Sequence, residues 1–399
     1  MGFLLGFAAL LLAVVLLIQI IRVFELTSKL SGNDQSKISF KDNRTRAFSW
    51  LAFIIWYFAL FIWVVMKWGP LVLPEAASEH GATIDFLFDL NWAIIIIAFV
   101  ITHLVLVTFI IKYYAKPGSK ATFITHNNKL EMFWTVAPAA VLAVIIIYGL
   151  QTWNEYNGDV EPDAIHIELY AKQFDWTARY AGDDNQLGKA NFNFINTANA
   201  LGLVTEETIK IRITELEEQI AELKTYLTTI PKEGLKESET LAAIHHKETQ
   251  LSKIHAFRRN NQLAKNAAKD DKLVKVEFHI PVGRQVNFSM RSQDVIHSAF
   301  MPHFRAQMNC VPGMVTRMRF KPTITTAEMR KKTGNPAFDY LLLCNKICGA
   351  AHYNMQMNVI VDTPEDYAKW IAEQVTFHSK LMATLGMTEI DNQLAQNKQ

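Results

Sequence analysis

Cysteine is scarce in this chain. Only three of the 399 residues are cysteine, too few to read as a disulfide framework, and two of them, Cys344 and Cys348, share one short motif. The C-x-x-C-H run needed for covalent haem attachment is absent, and no set of residues is arranged as haem ligands for oxygen chemistry. Lysine and arginine are missing from residues 69–89, where the acids Glu75, Glu79 and Asp85 stand instead. Charged residues make up 20% of the chain with a formal net charge of +2, and the mean hydropathy is +0.08. That average is high for a soluble protein and low for a pure transporter. It hides two unlike halves: apolar spans with short polar joints up to Trp153, and charged, water-compatible segments beyond it.

Four spans are long enough to cross a bilayer, which takes about 20 residues of helix: roughly 3–23, 49–68, 90–114 and 130–153. The first lacks a basic n-region and is longer than a usual signal-peptide core, which favours a retained helix over a cleaved leader. Arg22, Lys29, Lys37, Lys41, Arg44 and Arg46 fill the first joint, and Lys112, Lys116, Lys120 and Lys129 surround the third. By the positive-inside rule these joints face the cytoplasm, so the chain leaves the membrane after Trp153 on the outer side. His103, inside the third span, reads as a hydrogen-bonded group packed against a partner helix.

Chemistry concentrates between residues 340 and 362. An apolar run precedes Cys344, and alternating Met357, Val359 and Val361 follow Met355, a pattern of two buried strands holding a loop. In that loop Cys344, Cys348, His352 and Met355 are spaced C-x3-C-x3-H-x2-M. Two thiolates, an imidazole and a thioether favour copper, with zinc second. Moving one electron wants a metal whose geometry hardly changes on reduction, and two copper ions bridged by both thiolates meet that need by sharing the charge. The second imidazole must come from elsewhere, and His297 in D-V-I-H-S, after a strand-like V-N-F-S-M-R-S, is the best candidate. A helical i, i+4, i+8 stripe holding structural zinc would explain the cysteines and His352, but it leaves His297 and Met355 without a role. Cys310 reads as a small buried apolar residue.

D-V-I-H-S, the V-P-G at residues 311–313 and C-x3-C-G-x2-H-x2-M together resemble cytochrome c oxidase subunit II. The resemblance implies a membrane α-helical anchor followed by an all-β domain, specifically a Greek-key cupredoxin β-sandwich. It implies a binuclear copper A centre bridged by Cys344 and Cys348, with His297 and Met355 on one copper and His352 with the backbone carbonyl of Lys346 on the other. The function implied is that of the electron-entry subunit of a haem-copper oxidase in a bacterial inner membrane, with its copper domain on the periplasmic side. Its partners would be a cytochrome c donor, the haem-bearing catalytic subunit I in which oxygen is reduced, and other oxidase subunits, with no nucleic acid.

Several segments depart from the family pattern. The family's aromatic motif, Gln-Trp-x-Trp, receives the electron at its first tryptophan, whereas here Phe174 stands first and only Trp176 remains. The two are the candidates for electron entry, with simple sandwich core as the other reading of Phe174. The run from Ile165 to Tyr180 reads as one strand with Tyr170, Phe174, Trp176 and Tyr180 on one face. The fourth span opens H-N-N-K-L-E-M-F-W-T-V-A-P, and Glu131 falls where the family has the carboxylate at the mouth of a proton path. Asn128 and Glu131 equally read as an N-cap and its reciprocating carboxylate. Lys346 stands where the family has a glutamate whose carboxylate reaches a magnesium ion at the subunit I contact, which puts that magnesium in doubt. An ammonium cannot ligate a hard cation.

The expected organisation is therefore an extra helix and basic loop over 1–48, three transmembrane helices over 49–153, and a copper domain over 154–182 and 272–363. An antiparallel helical hairpin is inserted over 183–271, and a helix and tail follow over 364–399. Within the insertion, Ile213, Leu216, Ile220, Leu223 and Leu227 follow heptad spacing, Pro231 and Gly234 break it, and a second helix runs to about residue 266, forming an arm for a protein partner. Its His245, His246 and His255 read as solvated. A quinol-oxidase subunit would lack the copper ligands, nitrous oxide reductase would need a large propeller domain, and a copper carrier would want one exchangeable ion.

Overall fold

The structure is a computed structural model that describes residues 2–30, 39–260 and 267–386. Lys37 and the Gln- and Asn-rich end lie outside them, as do residues 261–266. The chain divides into two compact units, residues 1–73 with 89–139 and residues 74–88 with 140–399.

Among the described residues, four helices are long and apolar enough to cross a membrane: α1 (Gly2–Leu30), α2 (Phe40–Trp68), α3 (Glu79–Tyr113) and α4 (Asn128–Tyr156). Ser39 and Asp42 close a capping box at the start of α2. His103 Nδ1 lies 2.7 Å from the Phe99 carbonyl, and its ring packs against Phe99, Tyr57 and Phe58. At α4 the cap is Asn127, not Asn128: its Oδ1 accepts the Leu130 N–H at 3.1 Å, and Glu131 Oε1 accepts the Asn127 N–H at 3.1 Å. The same Glu131 oxygen lies 3.0 Å from His126 Nδ1.

Within the second unit, α3 begins at Glu79, so Asp85 is helical and not part of a loop. Arg305 grips Asp85 in two parallel hydrogen bonds, at 2.7 and 2.8 Å. Glu75 pairs with Lys332, and Ala77 N–H donates to the His303 carbonyl at 2.7 Å. Glu75 and Asp85 are thus both bound to the β domain.

That domain is a sandwich of two five-stranded sheets. One has the order β3 (Lys272–Val274), β2 (Asp175–Tyr180), β1 (Ile165–Lys172), β5 (Val286–Ser292), β8 (Thr316–Phe320). The other has the order β4 (Glu277–Pro281), β10 (Gln356–Asp362), β9 (Tyr340–Cys344), β6 (His297–Met301), β7 (Ala306–Cys310). Aromatics from both sheets close the core, among them Phe278, Phe288, Phe320, Tyr340 and Trp176, joined by Phe304 from the turn between β6 and β7. Each such side chain stabilises the fold by about 1.5 to 3 kcal/mol on burial. The run over 272–280 is split between the sheets at Val276, whose φ is +77°.

The Ile165–Tyr180 run is not one strand either. It folds back at Gln173–Phe174 into an antiparallel pair with Lys172 opposite Asp175 and Ala171 opposite Trp176. Paired residues share a face, so Trp176 and Tyr180 point into the main core, while Tyr170, opposite Thr177, points the other way. The turn changes the parity that a single strand would have had. On its outer face Tyr170 joins a second cluster with Leu201, Leu203, Ala268, Phe377, Leu381 and Met382. Phe377, Leu381 and Met382 come from α9 (Phe377–Thr384), which follows α8 (Pro364–Glu373) and lies beyond the single C-terminal helix expected there.

Between β2 and β3 the helices α5 (Glu206–Leu227) and α6 (Leu235–Asn260) pack together. Thr205 and Thr208 cap α5 reciprocally. Ile209, Leu216 and Ile254 form the seam, with Phe194 and Val204 of the preceding segment beneath it. Lys247 and Glu248, which interrupt the apolar pattern of α6, instead reach Gln219 at 2.7 Å and Lys224 at 2.9 Å across the pair. His245 and His246 are exposed. A last helix, α7 (Thr326–Thr333), precedes β9.

Candidate metal centre

The loop from Cys344 to Met355 hangs between adjacent strands β9 and β10, and its ends are tied by Cys344 N–H donating to the Met355 carbonyl at 3.0 Å. Beside it, β6 pairs with β9 so that Ala299 faces Cys344, and His297 lies two residues earlier on the same strand. This pairing brings the distant histidine to the loop. His297 Nδ1 is 3.8 Å from Cys344 Sγ, and Cys344 Sγ is 3.9 Å from Cys348 Sγ and 3.2 Å from the Lys346 carbonyl oxygen. Cys348 Sγ is 3.6 Å from His352 Nδ1 and 3.9 Å from Met355 Sδ. All six positions singled out in the sequence therefore converge. His297, Cys344, Cys348 and Met355 are buried, while the Lys346 side chain points into solvent.

The donor set fits a metal on chemical grounds. Buried sulfurs and ring nitrogens standing 3.6 to 3.9 Å apart are the spacing expected of ligands around shared soft ions, whose bonds to sulfur and nitrogen are about 2.0 to 2.3 Å long. Without an ion the arrangement is unfavourable. Burial, and then the neighbouring Cys344, push the Cys348 thiol up to about 11, so Cys348 keeps its proton at neutral pH unless a bound cation displaces it.

Three residues that sequence reasoning missed hold this loop. Asp294 Oδ1 lies 2.9 Å from His297 Nε2, leaving Nδ1 to face the sulfurs, and Asp294 Oδ2 accepts the Gln173 N–H at 2.7 Å. Burial would raise the Asp294 carboxyl, but hydrogen bonds from Gln173, His297 and Val295 outweigh it and hold it below its ordinary value. Gln173 Nε2 donates to the Cys348 carbonyl at 2.5 Å. Gly349, at φ +146°, lies directly under the Phe174 ring. Each stood beside a residue that was noticed, Asp294 in D-V-I-H and Gln173 next to Phe174, yet no sequence signal joins these segments.

Trp176 is 1% exposed. Its Nε1 donates to the Met355 carbonyl at 3.4 Å, and its ring meets His297 edge-on at 6.2 Å. Phe174 is half-buried, packed on the core beside the loop. Glu131 is not part of this constellation. It caps α4 in the other unit. Cys310 lies opposite His297 in the β6–β7 pair, fully buried, and burial raises its thiol to about 12.

Comparison with known proteins agrees on both halves of the chain. Residues 66–152 match the family model for the cytochrome c oxidase subunit II transmembrane domain, and residues 256–363 match that for its periplasmic domain. Helix α1, most of α2, β1, β2 and most of the helical pair lie outside both. The chain is 27% identical to the alternative cytochrome c oxidase subunit 2 of Bradyrhizobium diazoefficiens over 67% of its own length and 72% of the relative's. It is 25% identical to cytochrome c oxidase subunit 2 of Thermostichus vulcanus over 75% and 77%. A crystal structure of the periplasmic domain of subunit II from Bradyrhizobium japonicum superposes at a TM-score of 0.27 and 14% identity, covering 54% of this chain and 95% of that one. With membrane helices, a β-sandwich and both domain matches in the expected order, the chain belongs to the cytochrome c oxidase subunit II family and is a subunit of a respiratory oxidase.

Proposed function

We propose that this chain is the electron-entry subunit of a haem-copper oxidase, accepting electrons from a cytochrome c at a binuclear copper A centre and passing them to haem in the catalytic subunit. The observation that supports it most is the convergence of Cys344, Cys348, His297, His352, Met355 and the Lys346 carbonyl in one cluster. Cys344 and Cys348 would hold the copper pair through their thiolates, together with His297, His352, Met355 and the Lys346 carbonyl. When bound, the copper pair supplies one-electron redox chemistry with the charge shared across both thiolates.

The chain's own residues do the remaining work. Strands β9 and β10 hold the loop ends at fixed separation, so the ligands have little freedom to rearrange when the charge changes. Asp294 fixes the His297 ring and its tautomer, a supporting contact of the kind that orients metal-bound imidazoles. Trp176 and Phe174 exclude water from one side and are the route proposed for electron entry. Glu131 is proposed as the mouth of a proton path in the membrane part, with its capping bonds as the structural alternative. The multi-pass anchor is proposed to sit in a bacterial inner membrane with the sandwich in the periplasm, as the loop charges indicate.

The test is a copper count and paramagnetic spectrum on the full chain, with Cys344→Ser, Cys348→Ser and Met355→Leu. Two coppers sharing one unpaired electron are expected, lost in either serine variant and retained with a shifted potential in Met355→Leu, since a thioether tunes more than it anchors. A single copper, a zinc, or an unchanged spectrum in Cys344→Ser overturns the proposal.

A further inference from the structure

On the outer face of β1, away from the metal loop, a cavity of about 300 Å³ opens between the sheet, the insertion and α9. Its floor is apolar: Tyr170, Leu201, Leu273, Phe377 and Leu381. Lys172, Lys275 and Lys380 also line it, and among the described residues no carboxylate does. The three ammonium groups differ in how far they are already engaged. Lys275 pairs with Asp175 at 2.9 Å, and Lys380 donates one of its three N–H bonds to the Leu273 carbonyl at 2.6 Å. Lys172 has no carboxylate partner among the described residues. Burial lowers the pKa of Lys380, so an anion beside it would recover some of what desolvation costs.

An apolar floor with a few convergent polar groups at the mouth is the usual form of a small-molecule site. The sign of those groups selects the ligand. From this cavity we infer a binding site for a small anionic amphiphile, an aliphatic carboxylate with its chain on Tyr170, Leu201, Phe377 and Leu381 and its head between Lys172 and Lys380. At about 30 Å³ for each water-sized group the cavity accommodates on the order of ten non-hydrogen atoms, the size of a medium-chain fatty acid. The site is built by the insertion and α9 against β1. It lies next to the β1–β2 turn, since Lys172 and Asp175 flank the Gln173–Phe174 pair that touches the metal loop.

The experiment is equilibrium binding of radiolabelled decanoate to the full chain in lipid nanodiscs, with decanol and inorganic phosphate as separate competitors. Three variants go with it: Lys172→Gln with Lys380→Gln, Thr384→Trp at the exposed rim, and Lys253→Gln on α6 as a remote charge control. One saturable site per chain is expected, displaced poorly by decanol and by phosphate alone. The double lysine change should weaken it about tenfold, as expected for two partly exposed charge contacts, Thr384→Trp should block it, and Lys253→Gln should leave it unchanged. Binding that does not saturate, that survives both pocket variants, or that decanol displaces as well as decanoate does would be partition into lipid and overturns the site. Equal displacement by phosphate alone overturns the amphiphile in favour of a simple anion site.

Discussion

Replacing Gly349 by alanine tests whether the contact between the metal loop and the β1–β2 turn sets the geometry of the ligands. Gly349 has φ +146°, a conformation that an L side chain enters at a cost of about 1 to 3 kcal/mol. Its new methyl carbon would stand 2.8 and 2.9 Å from atoms of the Phe174 ring and 2.9 Å from Gln173 Nε2. Displacing a packed ring adds about 1 kcal/mol. The sum, about 2 to 4 kcal/mol, falls on the loop conformation that holds Cys348 beside Cys344. Because bound metal requires that conformation, Gly349→Ala should weaken copper binding by roughly 30- to 1,000-fold, at about 1.4 kcal/mol per decade. Chelator competition on the full chain in nanodiscs measures it. Adding Phe174→Ala relieves the ring contact and leaves the backbone cost, so the double variant should recover only about fivefold. Wild-type affinity in Gly349→Ala would refute the reasoning, and complete recovery in the double variant would remove its backbone half.

Three other predictions concern the entry path, the metal loop and the fold. Phe174→Trp should speed oxidation of added cytochrome c in stopped-flow measurements, and Trp176→Phe should slow it with the copper spectrum retained; no change in either means that electrons enter elsewhere. Lys346→Glu should create a magnesium or manganese site in the assembled oxidase without disturbing copper, because the exposed ammonium cannot ligate such ions while a carboxylate can. A tightly held manganese near copper in the wild-type enzyme would defeat that idea. Asp271, fully buried against Arg179, has its carboxyl raised to about 7, by burial first and against the pull of that guanidinium. A raised folded-state value means that the folded chain holds the proton longer than the unfolded one. Stability from this group is therefore greatest below about pH 4, declines as pH rises, and is gone above about pH 7, by up to about 4 kcal/mol. Denaturant unfolding across that window should show the decline, and Asp271→Asn should flatten it.

Much of this protein is written locally. The C-x3-C-x3-H-x2-M ligands lie within twelve residues of one another, so their spacing alone brings them together once both ends are strands, and the four apolar spans declare themselves by length. His297 was also legible, because a strand-like run and a short motif surround it. Other features depend on pairings that no local pattern encodes. Gln173 reaches the Cys348 carbonyl across 175 residues, and whether Tyr170 faces the main core or the lysine-lined cavity turns on a two-residue reversal at Gln173–Phe174 that alternation alone does not reveal. The 272–280 run divides between two sheets where Val276 adopts a positive φ, and α9 and the insertion meet Tyr170 on the same outer face of β1. Sequence periodicity specifies which side of an element is apolar. Which apolar sides meet, and therefore which polar groups line the space between them, is decided only when the sheets close.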